Sequence, residues 1–357
     1  MMKKVLFLYT EISPYLVAGL GHLVAHNAVE VHLVRWPVNK EAPFNFPDLP
    51  QVTVHERTSL DLEGLRALVK GLAPDVILAS GWVDKAYLRV CQDARKRGIP
   101  TVMASDTAWR GDLRQWFAVG AARLWLHRTF SHAWVTGEAQ ARYAAHLGFA
   151  KERIRRGFYV ADLNLFTSVA DRFRGLKSLQ FPHRLLCVAR YIPSKGHQYM
   201  VEAFAELADA GEVRDWELWC IGTGELFPLA FQHPRIRHLG FVQPEGMWRF
   251  MEQSGVFILP SLYEPWGVVV QEHAAAGFPL LLSDAVGARH SFLKEGYNGF
   301  SFTAGNKISL KETLLRVIAL SDAELTAMGR HSEELAMALG PGEWSDTLME
   351  LIAEGHA

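Results

Sequence analysis

Short runs of β-branched and aromatic residues alternate with helix-period stretches along the whole chain. In the first half the runs are VLFLYT, VEVHLVRW, QVTVHER, DVILAS, IPTVMAS and HAWVTG, and RIRRGFYV closes the series. Near-continuous apolar runs separated by helices read as strands of a parallel sheet covered on both faces. Between them, residues 62 to 72 and 84 to 97 carry a helical period, the second stretch ending at Gly98.

Residues 162 to 182, DLNLFTSVADRFRGLKSLQFP, show only weak periodicity and stop at Pro182. The alternation then restarts with HRLLCVA, WELWCIG, IRHLGF, GVFILPS and PLLLSD, with helices expected over 196–210, 245–253 and 266–276 and at least two more after Asn306. A restart marks a second sheet, and 357 residues exceed the ~250–300 at which single cores stop growing. The expected organisation is therefore a first domain over 1–165, a linker over 166–182, a second domain over 183–340, and a C-terminal helix over 341–357 that could pack back on the first domain. Both domains read as doubly wound, so ligands are expected at the carboxyl ends of strands, where the two face each other across a cleft.

Composition narrows the class. Apolar residues make up 49% and charged residues 21%, without low-complexity tracts, which describes a folded protein throughout. Cys91, Cys187 and Cys220 stand singly with no C-x-x-C pair, which indicates a reducing compartment and argues against structural zinc. The first apolar run is broken by Glu11 and no other approaches the ~20 residues of a membrane span. These features point to a cytoplasmic protein, with the inner membrane face as an alternative location. Charge is asymmetric: 21 Lys+Arg against 15 Asp+Glu through residue 168, then 16 against 23. Either the basic first half meets an anionic partner or its charges are simply solvated surface. Nothing suggests nucleic acid.

The most informative stretch is Pro260-Ser-Leu-Tyr-Glu264-Pro-Trp266-Gly267-Val268-Val269-Val-Gln-Glu272-His-Ala-Ala-Ala-Gly277-Phe-Pro279. It reads as a buried strand ending at Pro260 and a helix starting near Pro265, whose fixed φ suits a first turn. The N–H groups of Gly267, Val268 and Val269 would then face a ligand, at a helix end that favours phosphate or hydroxyl oxygens. Glu264 and Glu272 lie roughly 80° apart around a helix of 3.6 residues per turn, so they could reach different parts of one extended ligand.

This stretch strongly resembles the E-x7-E region of the family-4 retaining glycosyltransferases, which have the GT-B fold of two Rossmann-like domains. Further motifs support the resemblance: Ala189-Arg190-Tyr-Ile-Pro-Ser-Lys195-Gly196 is similar to the family's G-R-x4-K-G, Ile221-Gly222-Thr-Gly224 to its G-x-G turn, and Leu239-Gly240-Phe241-Val242 to its base-contacting loop. Ala189 replaces the usual glycine. The resemblance implies that Arg190 and Lys195 hold the pyrophosphate and stabilise the leaving nucleoside diphosphate. It also implies that Glu264 binds donor-sugar hydroxyls and Glu272 the ribose, with Gly222, Val242, Trp266, Gly267, Val268 and Val269 completing the donor site.

The first half carries weaker signals. Gly19 and Gly21 follow the first strand where relatives place a glycine pair near the donor phosphate, but the spacing is unusual and no NAD fingerprint is present. Ser105 and Asp106 stand where relatives often present a histidine. Asp106 could orient the acceptor or act as a base, or the pair could cap a helix. Asp162 and Asn164 read as turn residues. Leu113, Trp116, Phe117, Leu124 and Trp125 approximate one helical face flanked by arginines between Trp109 and Arg128, which fits core packing or a site for a membrane surface or lipid-linked acceptor.

No D-x-D cluster ends a strand, and His22, His26 and His273 form no ligand pattern and read as surface or supporting residues. The resemblance thus implies transfer of a hexose-type sugar from a nucleotide-sugar donor to a glycan or lipid-linked acceptor, in cell-surface polysaccharide or glycolipid synthesis. Retention of configuration, and no metal or other cofactor, are expected. The alternatives are a phosphorylase or epimerase on the same fold, or a non-catalytic sugar-nucleotide binding protein.

Overall fold

In the computed structural model of the chain, residues 2–38, 43–44 and 46–354 are described, and the side chains of residues 123 and 124 stand outside that description. The chain runs β1 (Lys3–Leu8), α1 (Pro14–His26), β2 (Val29–Arg35), β3 (Val52–Glu56), α2 (Leu62–Leu72), β4 (Val76–Ser80) and α3 (Lys85–Arg95). Next come β5 (Thr101–Ser105), α4 (Leu113–Thr129), β6 (His132–Val135), α5 (Glu138–His146) and β7 (Ile154–Arg155). These elements form one compact unit, which ends at Val160 and is resumed from Leu339.

Its seven strands are parallel in the order β3-β2-β1-β4-β5-β6-β7. Alternate residues of the central strands feed two cores. Leu6, Leu8, Ile77, Ala79 and Met103 face Leu65, Val90 and Leu126 of α2, α3 and α4. Val5, Phe7, Val31, Leu33, Val76 and Leu78 face Leu16 and Leu20 of α1 and Trp344 and Leu348 near the C-terminus. Both faces are dry, which is why these runs read as continuously apolar.

The second unit, Ala161–Ala338, begins with α6 (Leu163–Leu179) and continues through β8 (Arg184–Val188), α7 (His197–Asp209), β9 (Glu217–Ile221), β10 (Ile236–His238) and α8 (Trp248–Met251). Then follow β11 (Val256–Leu259), α9 (Val268–Ala275), β12 (Leu280–Ser283), α10 (Arg289–Phe292), β13 (Gly299–Phe302), α11 (Lys307–Ile318) and α12 (Asp322–Ala336). Its six parallel strands run β10-β9-β8-β11-β12-β13. In each unit the strand order reverses beside the first strand, at β1/β4 and at β8/β11, and such a reversal opens a crevice at the carboxyl ends.

Three expectations are corrected. The segment 166–182, read as a linker, is mostly α6, capped by Asp162, whose side chain accepts from Leu165 N at 3.0 Å. Leu163, Phe166, Val169, Ala170 and Phe173 line one buried face, and α6 packs on α9 and α12, so the second unit starts at Ala161 rather than 183. The helix expected over 245–253 shrinks to a single 3-10 turn plus α8, because Pro244 and Gly246 interrupt it. The helix expected near Pro265 begins at Val268, leaving Pro265 in the loop.

α13 (Pro341–Glu354) packs against α1 within the first unit. Its Trp344 is buried, stacks on Phe7 with ring centroids 6.2 Å apart, and donates from Nε1 to Phe158 O at 2.8 Å. A Cβ on Gly19 would lie 2.9 Å from the Trp344 ring, so glycine there lets the two helices approach.

Candidate donor and acceptor edges

In the second unit the loop after β8 (189–196) and the loop after β11 (260–267) flank the strand-order reversal. Backbone contacts bind them together. Leu262 N and Tyr263 N both donate to Ser194 O, at 2.8 and 3.1 Å, and the Tyr199 hydroxyl donates to Pro260 O. Gly196 sits at φ 68°, and a Cβ there would lie 2.4 Å from Pro260 O, which no side chain tolerates. The result brings Lys195 Nζ to 2.5 Å from Glu264 Oε2, with the two side chains only 13% and 14% exposed. Glu264 is anchored in turn by Gly287 N donating to its carbonyl at 3.0 Å and by its own N–H donating to Ala285 O at 3.3 Å. Arg190 is exposed on the same loop as Lys195.

The turn after β9 lies against the first of these loops. Gly222 at φ 138° leaves no room for a Cβ, which would meet Ala189 O at 2.0 Å. Val242 is half-buried on the segment after β10. Gly267 precedes α9 at φ 92°, and the N–H groups of Gly267, Val268 and Val269 have no acceptor among the described residues. Trp266 is buried, and its Nε1 lacks a hydrogen-bond partner among them as well.

Glu272 is partly exposed on α9. The surrounding protein, and after it the charge of Asp162, pushes its carboxyl up to about 7. Of the two roles expected for His273, surface or supporting, the first is excluded: it is fully buried, its ring centroid stacked 4.0 Å from that of Phe257, and it donates from Nδ1 to Val269 O at 2.8 Å. Burial lowers its pKa to about 3, so the ring is neutral.

In the first unit, Gly19 and Gly21 do not form a phosphate turn. Both lie in the body of α1, where Pro14 starts the helix, and Gly19 serves helix packing instead. Asp106 stands just beyond β5, partly exposed. Its partner Ser105 does not cap α4; that role belongs to Asp112, which accepts from Gln115 N at 2.8 Å. Tyr9, Tyr15 and Tyr159 gather at this edge, Tyr15 and Tyr159 with ring centroids 4.5 Å apart. Burial chiefly raises their pKa values, the Asp106 charge adds to each, and Tyr15 reaches about 12. The cluster joins residues 150 positions apart and has no local sequence signal.

The α4 face read from spacing is out of phase with the core. Gln115, Val119, Ala122 and Leu126 are buried, whereas Leu113 is 78%, Trp116 51% and Phe117 79% exposed. Trp125 is partly buried against the core, and the Leu124 side chain lies outside the described residues. Trp109 continues the patch, stacked 4.2 Å from His146 with its edge 5.1 Å from Trp116, and Arg114 and Arg128 are exposed nearby. No helix among the described residues is long and apolar enough to cross a membrane, and among them no three His, Cys, Asp or Glu side chains form a group that could hold a metal ion.

Two parallel-sheet α/β units, each doubly wound, make this a protein of the GT-B fold. Residues 182–320 match the family model described as glycosyl transferases group 1. An uncharacterized glycosyltransferase of Methanocaldococcus jannaschii is 28% identical over 170 residues, covering 44% of this chain and 42% of that protein. The lipopolysaccharide core biosynthesis glycosyltransferase LpsE of Rhizobium meliloti is 24% identical over 176 residues, 47% of this chain and 49% of that one. The chain thus aligns with about half the length of these curated relatives or less. Among solved structures, Anabaena HepE in complex with UDP and glucose superposes with a TM-score of 0.72 at 16% identity, over 99% of this chain and all of that one, a likeness of fold. The family match thus lies within the second unit, and the likeness of fold extends over the whole chain.

Proposed function

We propose that the protein is a retaining, metal-independent glycosyltransferase that moves a hexose-type sugar from a nucleotide-sugar donor to a glycan or lipid-linked acceptor. The observation that carries this reading is the Lys195–Glu264 pair at the strand-order reversal, with Arg190 on the same loop and the whole arrangement inside the matched region. Arg190 offers a planar fork and Lys195 a compact charge to a diphosphate, each charge-assisted bond contributing ~1.5–3 kcal/mol. The N–H groups at the start of α9 add partial positive charge. Glu264, held beside Lys195, would accept from sugar hydroxyls, and Glu272 from the ribose. Front-face substitution lets the departing diphosphate oxygen take the acceptor's proton, so no separate base is required. The protein contributes positioning and preorganised charge.

The first unit would receive the acceptor at the edge bearing Asp106 and the three tyrosines. The exposed aromatic patch of α4 with Arg114 and Arg128 suits contact with an anionic membrane face, where a lipid-linked acceptor would lie. The HepE complex holds UDP and glucose, which makes UDP-glucose the first donor to try here. Incubating the protein with labelled UDP-, GDP- and ADP-sugars and candidate acceptors tests the reading. Transfer with retained anomeric configuration supports it; phosphate-dependent cleavage, epimerisation, or binding without turnover would each replace it by one of the rival activities.

A further inference from the structure

Tyr191 stands between Arg190 and Lys195, at a position that the R-x4-K spacing leaves unspecified. Its ring is buried, stacks on His197 with centroids 4.0 Å apart, and meets Phe227 edge-on at 5.0 Å. Its hydroxyl lies 2.7 Å from His238 Nδ1, and His238 Nε2 lies 2.9 Å from Phe231 O. A carbonyl can only accept, so in the neutral ring Nε2 carries the proton, Nδ1 is the acceptor, and Tyr191 donates. The backbone is tied too: Tyr191 N donates to Thr223 O at 2.9 Å, and its carbonyl accepts from Leu226 N at 2.9 Å. Gly224 at φ 150° fits against that carbonyl, where a Cβ would come within 2.6 Å. One residue therefore joins the loop after β8, the turn after β9, the end of β10 and the first turn of α7.

We infer that Tyr191 is a positioning residue for the donor's diphosphate. It acts through its two cationic neighbours on the loop and rests on the reading of this edge as the donor site. Arg190 is exposed and directly precedes Tyr191, so the backbone bonds of Tyr191 fix where its side chain starts. A loop pinned on both sides of Arg190 spends less conformational freedom when the cations close on two phosphates, and looser pinning lowers affinity without removing a contact to the ligand.

The test measures UDP, GDP and ADP binding by calorimetry to the whole chain, beside thermal melts. Tyr191→Phe keeps the stacked ring and loses only the hydroxyl. It is expected to weaken the preferred diphosphate about three- to tenfold, matching the loss of one hydrogen bond. His238→Leu removes the same bond from the other side and serves if the first variant folds poorly. In an Arg190→Ala/Lys195→Ala background the Tyr191→Phe effect should vanish, because Tyr191 acts through those cations. Wild-type affinity in both single variants, or an undiminished effect in the doubly substituted background, overturns the positioning role. Failure of the unaltered protein to bind any of the three diphosphates instead overturns the donor-site reading and this inference with it.

Discussion

Replacing Lys195 should separate stability from catalysis in a way that tests the site directly. Its ammonium lies 2.5 Å from Glu264, and at 13% and 14% exposure the pair is closer to a buried than a surface ion pair. Exposed pairs contribute up to about 1 kcal/mol, whereas removing one partner of a buried pair costs about 3–5 kcal/mol, because a charge is left without its counterion. Lys195→Met is therefore expected to cost about 3 kcal/mol, a Tm drop of roughly 6–12 °C for a unit of this size. Glu264→Gln should cost a similar amount. The Lys195→Met/Glu264→Gln double variant should recover most of that stability, since neither charge remains to be desolvated. Activity should not recover: without the ammonium at the leaving diphosphate, kcat/KM falls at least tenfold in each variant, from ~1.5–3 kcal/mol of lost charge-assisted bonding. Thermal melts and initial rates with labelled donor read both quantities. Additive Tm losses would show that the pair is not coupled, and near-wild-type kcat/KM in Lys195→Met would refute the donor-site assignment.

Transfer should continue unchanged in excess EDTA, because cations and helix N–H groups neutralise the diphosphate; loss restored by Mg²⁺ or Mn²⁺ would count against this. Glu272 titrates near 7 in the fold against 4.5 for its unperturbed carboxyl, so between those values the native state binds more protons and its stability falls as pH rises. Glu272→Gln escapes that loss, and its Tm relative to wild type should climb from pH 5 to pH 8 while diphosphate affinity drops; an equal Tm difference at both pH values removes the argument. The chain should co-sediment with anionic but not neutral vesicles, more weakly at high salt, and Leu113→Ser/Phe117→Ser should abolish it. Equal, negligible binding to both vesicle types would leave α4 without a lipid role.

The strand–helix alternation and the restart after Pro182 were readable because parallel strands buried on both faces are apolar at every position. The motifs of the second unit fall together for a related reason: β8, β9 and β11 end next to one another, so glycine, arginine and glutamate at strand ends share one edge. Other features escaped. Alternating polar and apolar residues hid α6, although Leu163, Phe166, Val169 and Phe173 fall on one helical face. The phase of α4 failed because two large apolar residues, Leu113 and Phe117, point to solvent, and hydrophobicity alone cannot separate a core face from an exposed patch. Tyr9, Tyr15 and Tyr159, like Tyr191 and His238, meet only through tertiary packing, and no spacing announces them.

The two units share a topology but build their carboxyl edges differently. In the second unit, Gly196, Gly222 and Gly287 each bring one backbone against another so closely that a Cβ would lie 2.0 to 2.4 Å from a carbonyl oxygen. Such contacts admit one residue type and one loop path, which suits a ligand part common to many donors, a diphosphate. The corresponding edge of the first unit is made of side chains: three phenols, Asp106 and the Trp109–Trp116 patch. Side chains can be exchanged without rebuilding the backbone, so that edge tolerates substitutions which the glycine contacts of the second unit exclude. The family match stops at residues 182–320, while the likeness of fold extends over 99% of the chain.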